Sequence, residues 1–339
     1  KTYNYLFITM DFTNTPLDQL QALLLAEQKQ LDIMKNYIAA KKQTISTVKK
    51  AIASKKTSLK PKKPKKTTTV IQPSLLNTRM SLTMGDAGEN HAGMEMCGSL
   101  QKPGTGHTTD DLKFIQTHME SLGKTCQYKD LSAFGKSAAV LIIRNYIDTS
   151  LQSKVFEELN SFEWDYKFKC PRRGIVLNKH ARGNVVLLEG HEQEPDYENG
   201  KGRIVDSNKL THLRDIKASI INDIQQPLTV ANSSTKPIPY IMEGNRYYDF
   251  KKCGIGLHGD AERTRVICLS IGGHQYPMRW VWFHNSKPVS QPYDVMLNSG
   301  DVYLMSEEAV GHKWKLRSQH TLRHAAGIDK YISLDRFTK

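Results

Sequence analysis

The first clear pattern along the chain is a heptad repeat of apolar residues near its beginning. Apolar side chains recur every seven positions from Leu17 to Ile52, and the companion seam positions are mostly apolar as well. This narrow stripe predicts a coiled-coil helix over residues 15–54, which starts at a Thr-Pro pair and would join a second copy or a partner helix through residues 17–52. The alternative is an amphipathic helix that packs against its own domain.

Two further segments precede the main part of the chain. Residues 55–78 are rich in lysine and proline, which predicts an extended, disordered linker. Residues 79–135 predict a small α/β extension, with a strand in RMSLTM and a helix in TTDDLKFIQTHMESLG. Thr109 or Asp110 would cap that helix and Gly123 would end it.

Strand patterns dominate residues 136–339. AAVLIIRNYI predicts a buried strand that leads into a helix in SLQSKVFEELNSF. After residue 240 come short strands with turn residues between them, in TRVICLSIG, MRWVWFH, YDVML, DVYLM and HTLRHA. Many short strands after a helical entry predict an antiparallel barrel or sandwich. The expected fold class is therefore α+β, mainly β, with flanking helices, the small α/β extension and the long N-terminal coiled-coil helix.

Charge is distributed unevenly over this plan. The net charge is +14, and residues 1–78 account for +10 of it, with fourteen lysines against four acidic residues. PKKPKK, within the linker, has the composition of a nuclear localisation signal or a nucleic-acid patch, and the alternative is a solubilising run. Five scattered cysteines without a CxxC pair favour an intracellular, reducing compartment. No apolar run approaches the length of a membrane span, so no membrane partner is expected.

A histidine and an aspartate two residues apart suggest chemistry. His258 and Asp260 follow a predicted strand, and two histidines with one carboxylate form a facial set that binds Fe(II) and leaves positions open. His312, 52 residues after Asp260, is the preferred third ligand, and His324 is the alternative. The preference rests on strand alternation, because His324 turns outward if Arg323 faces the barrel interior. Arg323 has the forked guanidinium that suits a carboxylate.

These residues resemble the 2-oxoglutarate/Fe(II) dioxygenases, and others narrow the likeness to the AlkB-like branch. Arg317 and Arg323 are six residues apart, which is similar to the arginine pair of that branch, although His320 replaces its asparagine. Asn245 and Tyr247 resemble its Asn-x-Tyr. The likeness covers roughly residues 138–330.

The resemblance implies a double-stranded β-helix, or jelly-roll, with Fe(II) as cofactor and with 2-oxoglutarate and O2 as co-substrates. It implies an iron site made of His258, Asp260 and His312. It also implies that 2-oxoglutarate is held by Arg323 with help from Arg317, Asn245 and Tyr247. If His324 were the third ligand, the match of the arginine pair would be lost and Arg336 would become the carboxylate partner.

A basic segment ahead of the barrel, PRRGIVLNKHARGNVVL at residues 171–187, is similar in place to the mobile hairpin with which AlkB-like proteins hold nucleic acid. The alternative is a solvated basic hairpin. Tyr240, Tyr247 and Trp280 could offer a stacking face for a base, or could belong to the core. The expected substrate-binding residues are Arg172, Arg173, Lys179, Arg182 and Glu262, the last because it follows the His-x-Asp pair as an acid does in AlkB proteins.

Together these features predict oxidative dealkylation or demethylation of a base in DNA or RNA. Hydroxylation of an N-methyl carbon would release formaldehyde. Three alternatives stay open. The first is a hydroxylase of protein side chains. The second is a nucleobase hydroxylase that does not dealkylate. The third is a non-enzymatic, coiled-coil protein that binds nucleic acid.

Overall fold

The structure, a computed structural model, describes residues 77–337 apart from 90, 232–239 and 274, together with residues 16, 21, 28, 45 and 47. The chain forms two compact units, Lys1–Val70 and Ile71–Lys339. The coiled coil and the basic linker lie almost entirely outside the described residues. Gln21, Gln28, Ile45 and Thr47, which fall within the expected helix, are helical.

The unit Ile71–Lys339 is rich in short strands. In chain order the strands are β1 (Arg79–Gly85), β2 (Ala87–Glu89), β3 (Met96–Gly98), β4 (Thr125–Asp130), β5 (Ala139–Arg144), β6 (Lys167–Cys170), β7 (Ile175–Asn178), β8 (Gly183–Leu188), β9 (Ile204–Asp206), β10 (Ile241–Tyr247), β11 (Gly254–His258), β12 (Val266–Gly272), β13 (Tyr276–His284), β14 (Lys287–Pro288), β15 (Tyr293–Leu297), β16 (Val302–Met305) and β17 (Thr321–Gly327).

Helices are fewer than strands. They are α1 (Thr109–Ser121), α2 (Thr149–Leu159), α3 (Thr211–Ile220), α4 (Gln226–Ala231), α5 (Glu307–Val310) and α6 (Asp329–Ile332), with a π-helical turn at Ile221–Gln225 and 3₁₀ turns at Tyr197–Asn199, Ser207–Lys209 and Asp335–Phe337. Within the described part of the chain, no helix has both the length and the apolar composition to cross a membrane.

The strands form two main sheets. The larger has the order β4-β5-β16-β12-β1-β10-β8-β9, and only its β8–β9 pair is parallel. The smaller has the order β11-β17-β13-β14, with β15 also paired to β13. Two hairpins, β2–β3 and β6–β7, stand apart from these sheets. The mainly-β α+β class expected from the sequence is confirmed.

The larger sheet is buried on both faces. One face packs against the helices, and the apolar side chains Met80, Leu82 and Met84 of β1 point into that core. The other face packs against the smaller sheet, in a core that includes Trp280, Trp282 and Leu322. Burial on both faces explains the continuous apolar run in β5, whose first five residues are all buried.

Residues 79–135, expected as a small α/β extension, share the larger sheet with the rest of the unit. β1 lies between β10 and β12 and pairs with both along its whole length, so Arg79 faces Tyr247 on one side and Gly272 on the other. The N-cap of helix α1 is Thr108, one residue before the first of the expected caps, and Thr108 and Asp111 form a reciprocal capping box with hydrogen bonds of 3.0 and 2.7 Å.

Candidate metal centre

Two strands of the smaller sheet bring three possible metal ligands together. His258 ends β11, Asp260 follows two residues later, and β17 pairs with β11 so that His324 lies opposite His258. The Nε2 atoms of His258 and His324 lie 3.5 and 3.6 Å from Oδ1 of Asp260. Their three donor atoms are within 4.8 Å of one another, and this is the group of metal-ligating type found among the described residues.

Backbone contacts orient the group. Nδ1 of His258 lies 2.7 Å from the carbonyl oxygen of Gly256, which leaves Nε2 as its donor atom toward a metal. The backbone N–H of Asp260 donates to the carbonyl of Val310 at 3.0 Å. Between the two ligands, Gly259 has no room for a side chain, because a Cβ would collide with the Gly311 carbonyl and lie 2.9 Å from Cβ of Trp314.

Burial and mutual contact set the charge state of the group. Burial alone would raise the pKa of Asp260, but the adjacent His324 and the hydrogen bonds from both histidines lower it well below its ordinary value. Burial, followed by the neighbouring His258, lowers the pKa of His324. An ionised carboxylate and a neutral imidazole are the forms that bind a metal ion.

His312, the preferred third ligand, does not join the group. Its Nδ1 lies 3.3 Å from the carbonyl oxygen of Arg263 instead. Arg323 and His324 do point to opposite sides of β17, but in the sense opposite to the one expected. Arg323 points away from the interior, with its guanidinium 4.2 Å from the ring centre of Phe283 and a hydrogen bond of 3.2 Å to the Trp314 carbonyl. His324 therefore points inward and is 4% exposed.

Two of the four residues expected to bind the co-substrate line the cavity next to the metal-ligating group, and two do not. Arg317 is exposed on the surface, and neither it nor Arg323 lines the cavity next to the metal-ligating group. Arg336, the partner expected with His324, is not a lining residue either, and its guanidinium stacks 4.7 Å from the ring centre of Phe337. Asn245 and Tyr247 do line the cavity.

The cavity has a volume of about 300 Å³ and contains a buried arginine that the sequence reading missed. Arg79, on β1, is 2% exposed. It donates to the carbonyl of Leu297 at 2.9 Å and to the hydroxyl of Ser270. Tyr247 lies opposite it in the sheet register, and Tyr276 stands edge-on to Tyr247 at 5.5 Å. This end of the cavity therefore offers a guanidinium and two phenols.

Asn245 occupies the wall between the two ends. Its carbonyl oxygen accepts hydrogen bonds from Nε of Arg182, at 2.6 Å, and from the amide of Asn184. Its amide nitrogen donates to Glu243 at 3.1 Å. Asn245, expected at the co-substrate, thus holds Arg182, expected at the substrate, at the cavity wall.

The other end of the cavity is acidic. Glu89, Glu243 and Glu262 line it, and Nη2 of Arg263 lies 2.6 Å from Glu243 and 2.9 Å from Glu262. Burial raises the pKa of Glu89 to about 7, and the negative charges of Glu262 and Glu243 add to the effect. Burial also raises the pKa of Glu262. Three carboxyl groups thus share this end with Arg263, and burial and their mutual repulsion favour the protonated form of Glu89.

The basic segment expected to hold nucleic acid, residues 171–187, spans the turn and the second strand of the hairpin β6–β7 and continues into β8. Arg172 and Arg173 are exposed in its turn, whereas Lys179 is 8% exposed and burial lowers its pKa to about 8. The hairpin adjoins the cavity, since Phe168 of β6 stacks at 3.7 Å on His91, a lining residue.

The three aromatic residues considered for base stacking are all buried. Tyr240 donates its hydroxyl hydrogen to Gln225, and Trp280 packs in the core between the sheets. Tyr247 contributes to the cavity wall. None of the three offers an open ring face at the surface.

The chain is similar to a protein of a virus. No family model matches the chain. The uncharacterized protein R156 of Acanthamoeba polyphaga mimivirus is 35% identical over 262 residues, which cover 75% of this chain and 97% of the viral protein. At this identity and coverage, the chain belongs to the same family as this mimivirus protein.

Proposed function

We propose that this protein is an Fe(II)- and 2-oxoglutarate-dependent dioxygenase. The observation that carries the proposal is the cluster of His258, Asp260 and His324 in a cavity that also contains Arg79. Two imidazoles and one carboxylate on one side of a cavity are the ligand set of non-haem Fe(II) oxygenases. The fit is supported by the inward Nε2 atoms and by the backbone acceptor at Nδ1 of His258.

The strand order supports a jelly-roll for the same unit. Four strands of the larger sheet, β10-β1-β12-β16, face four strands of the smaller sheet, β11-β17-β13-β15. The chain alternates between the two sheets from β10 to β13 and again from β15 to β17, while β13, β14 and β15 follow one another in the smaller sheet. This order supports a double-stranded β-helix. The remaining place, between β10 and β12, belongs to β1. We infer a jelly-roll in which the N-terminal strand fills the position of a closing strand.

That strand brings the anchor for the co-substrate. Arg79 of β1, with Tyr247 and Tyr276 beside it, can bind the far carboxylate of 2-oxoglutarate through its forked donors. The other end of the co-substrate would then reach the metal group across the same cavity. This assignment replaces Arg323 by Arg79 and keeps Tyr247 as a neighbour of the carboxylate.

When bound, Fe(II) with 2-oxoglutarate and O2 supplies the chemistry that hydroxylates a C–H bond, while 2-oxoglutarate becomes succinate and CO2. The chain's own residues orient the reactants. Gly311 and Trp314 pack on Gly259 and hold the turn between the ligands. The two sheets shield the reaction from water, since Trp280 and Leu322 fill the space next to His324.

The substrate that we propose is a methylated or otherwise alkylated base of DNA or RNA. The exposed Arg172 and Arg173 and the cavity residue Arg182 support a polyanion at this side. The acidic end of the cavity favours a second candidate, hydroxylation of a protein side chain that carries an amine or a guanidinium. Glu89, Glu243 and Glu262 would pair with such a cation.

One assay separates these candidates. Succinate release is measured with Fe(II) and 2-oxoglutarate on a panel of methylated oligonucleotides and of lysine- and arginine-containing peptides, with formaldehyde followed in parallel. We expect turnover and formaldehyde with the oligonucleotides, and neither with Asp260→Asn, which keeps the shape of the side chain but removes its charge. Turnover on peptides alone would favour the second candidate. Absence of iron binding would refute both.

A further inference from the structure

The segment 311–320, here called the rim loop, connects the metal group to the surface. It begins where Gly311 and Trp314 pack against Gly259, between two of the metal-ligating residues. Trp314 and Lys315 line the cavity. The loop then runs along the end of β13, where the N–H of Asn285 donates to the carbonyl of Arg317 at 2.9 Å. Its course is therefore fixed at both ends.

The rim loop is basic and its charges face solvent. Its sequence GHKWKLRSQH contains Lys313, Lys315 and Arg317 and no acidic residue. All three are exposed, and none forms an ion pair with another described residue. Several basic residues elsewhere in the unit are paired, as in Lys136–Glu308, Lys209–Glu192, Lys217–Glu189 and Arg279–Asp294. The rim loop thus presents three uncompensated charges beside the cavity.

A stack of rings stands at the far end of the rim loop. The ring of His320 lies between Phe134 and His284, with centroid distances of 4.1 and 4.5 Å and nearly parallel planes. Trp282 supports Phe134 edge-on at 5.9 Å. Phe134 is 47% exposed and has a φ of 55°, a backbone conformation that residues other than glycine rarely adopt. The turn therefore holds a large apolar ring at the surface.

The ring stack and the metal group are neighbours along one strand. His320 directly precedes β17, and His324 lies four residues further along it. Because an extended chain rises about 3.3 Å per residue, the two are roughly 13 Å apart. A row of cations and an exposed aromatic face thus extend outward from the cavity, over a distance that a few nucleotides cover.

We propose that the rim loop and the ring of Phe134 bind single-stranded nucleic acid on one side of the target base. Lys313, Lys315 and Arg317 would contact its phosphates, and one flanking base would stack on Phe134. A charged groove with an aromatic platform is the usual design for single strands, whose bases are free to stack on a side chain. The choice of partner rests on the proposed nucleic-acid substrate, whereas the surface itself is independent of the metal group.

The test measures binding without catalysis. Fluorescence anisotropy follows a labelled, unmodified single-stranded 12-nucleotide DNA and its RNA counterpart, with the full-length, iron-free protein over a series of salt concentrations. Each phosphate contact contributes about 0.7 to the slope of log K against log salt for single strands. We expect Lys313→Ala, Lys315→Ala and Arg317→Ala in one chain to lower the slope by about 2. Lysines of residues 1–78 are the same in every variant, so they cancel in the comparison.

Matched controls separate this surface from general charge. Replacing Lys102, Lys154 and Lys201 by alanine removes three exposed lysines that likewise form no ion pair with another described residue, and we expect the slope to stay unchanged. Phe134→Leu keeps an apolar side chain but loses the ring, and should weaken binding roughly 5- to 150-fold, the range for one stacked base. Phe134→Tyr should retain it.

Three results would overturn the proposal. One is an equal loss of slope in the control variant, and another is unchanged binding by Phe134→Leu. The third is equal competition by a phosphopeptide of the same charge or by anionic phosphatidylserine vesicles, which would make the loop a general anion site. Failure of the proposed function looks different, because a protein without succinate release could still bind the oligonucleotide through this surface.

Discussion

Replacement of Arg79 by lysine separates the two assignments of the co-substrate anchor. The change keeps the charge and most of the length of a side chain that is 2% exposed, but it removes the fork that gives two parallel hydrogen bonds to a carboxylate. One hydrogen bond to a charged group contributes about 1.5–3 kcal/mol, so the affinity for 2-oxoglutarate should fall about 10- to 150-fold.

The measurement is isothermal titration calorimetry of 2-oxoglutarate into the iron-loaded protein in the absence of oxygen. Arg323→Lys is the matched control, because Arg323 stacks on Phe283 outside the cavity, and its affinity should stay within about twofold of wild type. Urea unfolding of both variants checks the fold. Arg79 also donates to the Leu297 carbonyl and to the Ser270 hydroxyl, so any loss of stability from these contacts is read from the unfolding curves and kept apart from the change in affinity.

A fall in affinity with Arg323→Lys and none with Arg79→Lys would refute the reasoning. It would mean that Arg323 turns into the cavity when the co-substrate binds, and that the sequence resemblance had identified the anchor correctly. Equal losses in both variants, with unchanged unfolding, would show that 2-oxoglutarate is held by the overall positive potential of this end and not by a paired fork.

Three further outcomes follow from the geometry. His324→Ala should abolish stoichiometric Fe(II) binding, measured by anaerobic titration, whereas His312→Ala should retain it. The opposite pattern would identify His312 as the third ligand. Gly259→Ala should destabilise the fold by about 1–3 kcal/mol in urea unfolding and weaken metal binding, because its Cβ collides with the Gly311 carbonyl; wild-type stability would contradict the packing. Glu89 has its pKa raised from 4.5 to about 7, so its native form binds more protons than its unfolded form and stability falls as pH rises between these values. Glu89→Gln should flatten that part of the stability profile, and an unchanged slope would contradict the burial of Glu89.

Much of the fold, and two of the three residues in the metal-ligating group, could be predicted from local patterns in the sequence. Alternation and turn residues located most strands after residue 240, and the spacing of His258 and Asp260 marked the pair that the structure brings together. Alternation also established that Arg323 and His324 face opposite sides. Which of them faces inward depends on the pairing of β17 with β11 and β13, and that pairing joins residues far apart in the chain.

Arg79 was missed for the same physical reason. RMSLTM reads as a strand with apolar residues on one face, but nothing within it indicates pairing with β10 and β12, more than 150 residues away. When residues 79–135 are treated as a separate extension, the polar face of this strand has no surface to pack against. A clue was present, since arginine begins a strand whose alternate residues are all apolar, and such a residue often faces a second buried surface that contains polar groups.

In the proposed reaction, the distribution of charge in the cavity would give the two reactants separate places. Thr83 of β1 pairs with Glu243, and Arg79 lies four residues before Thr83, so the cationic and acidic ends are about 13 Å apart. The proposed co-substrate, with two carboxylates, would be stabilised near Arg79 and repelled by the carboxylates of Glu243 and Glu262. A substrate group that is cationic or rich in donors has the opposite preference. Since Asp260 lies within 4.0 Å of Arg263 at the acidic end, the substrate would meet the metal group from that side, with the co-substrate behind it.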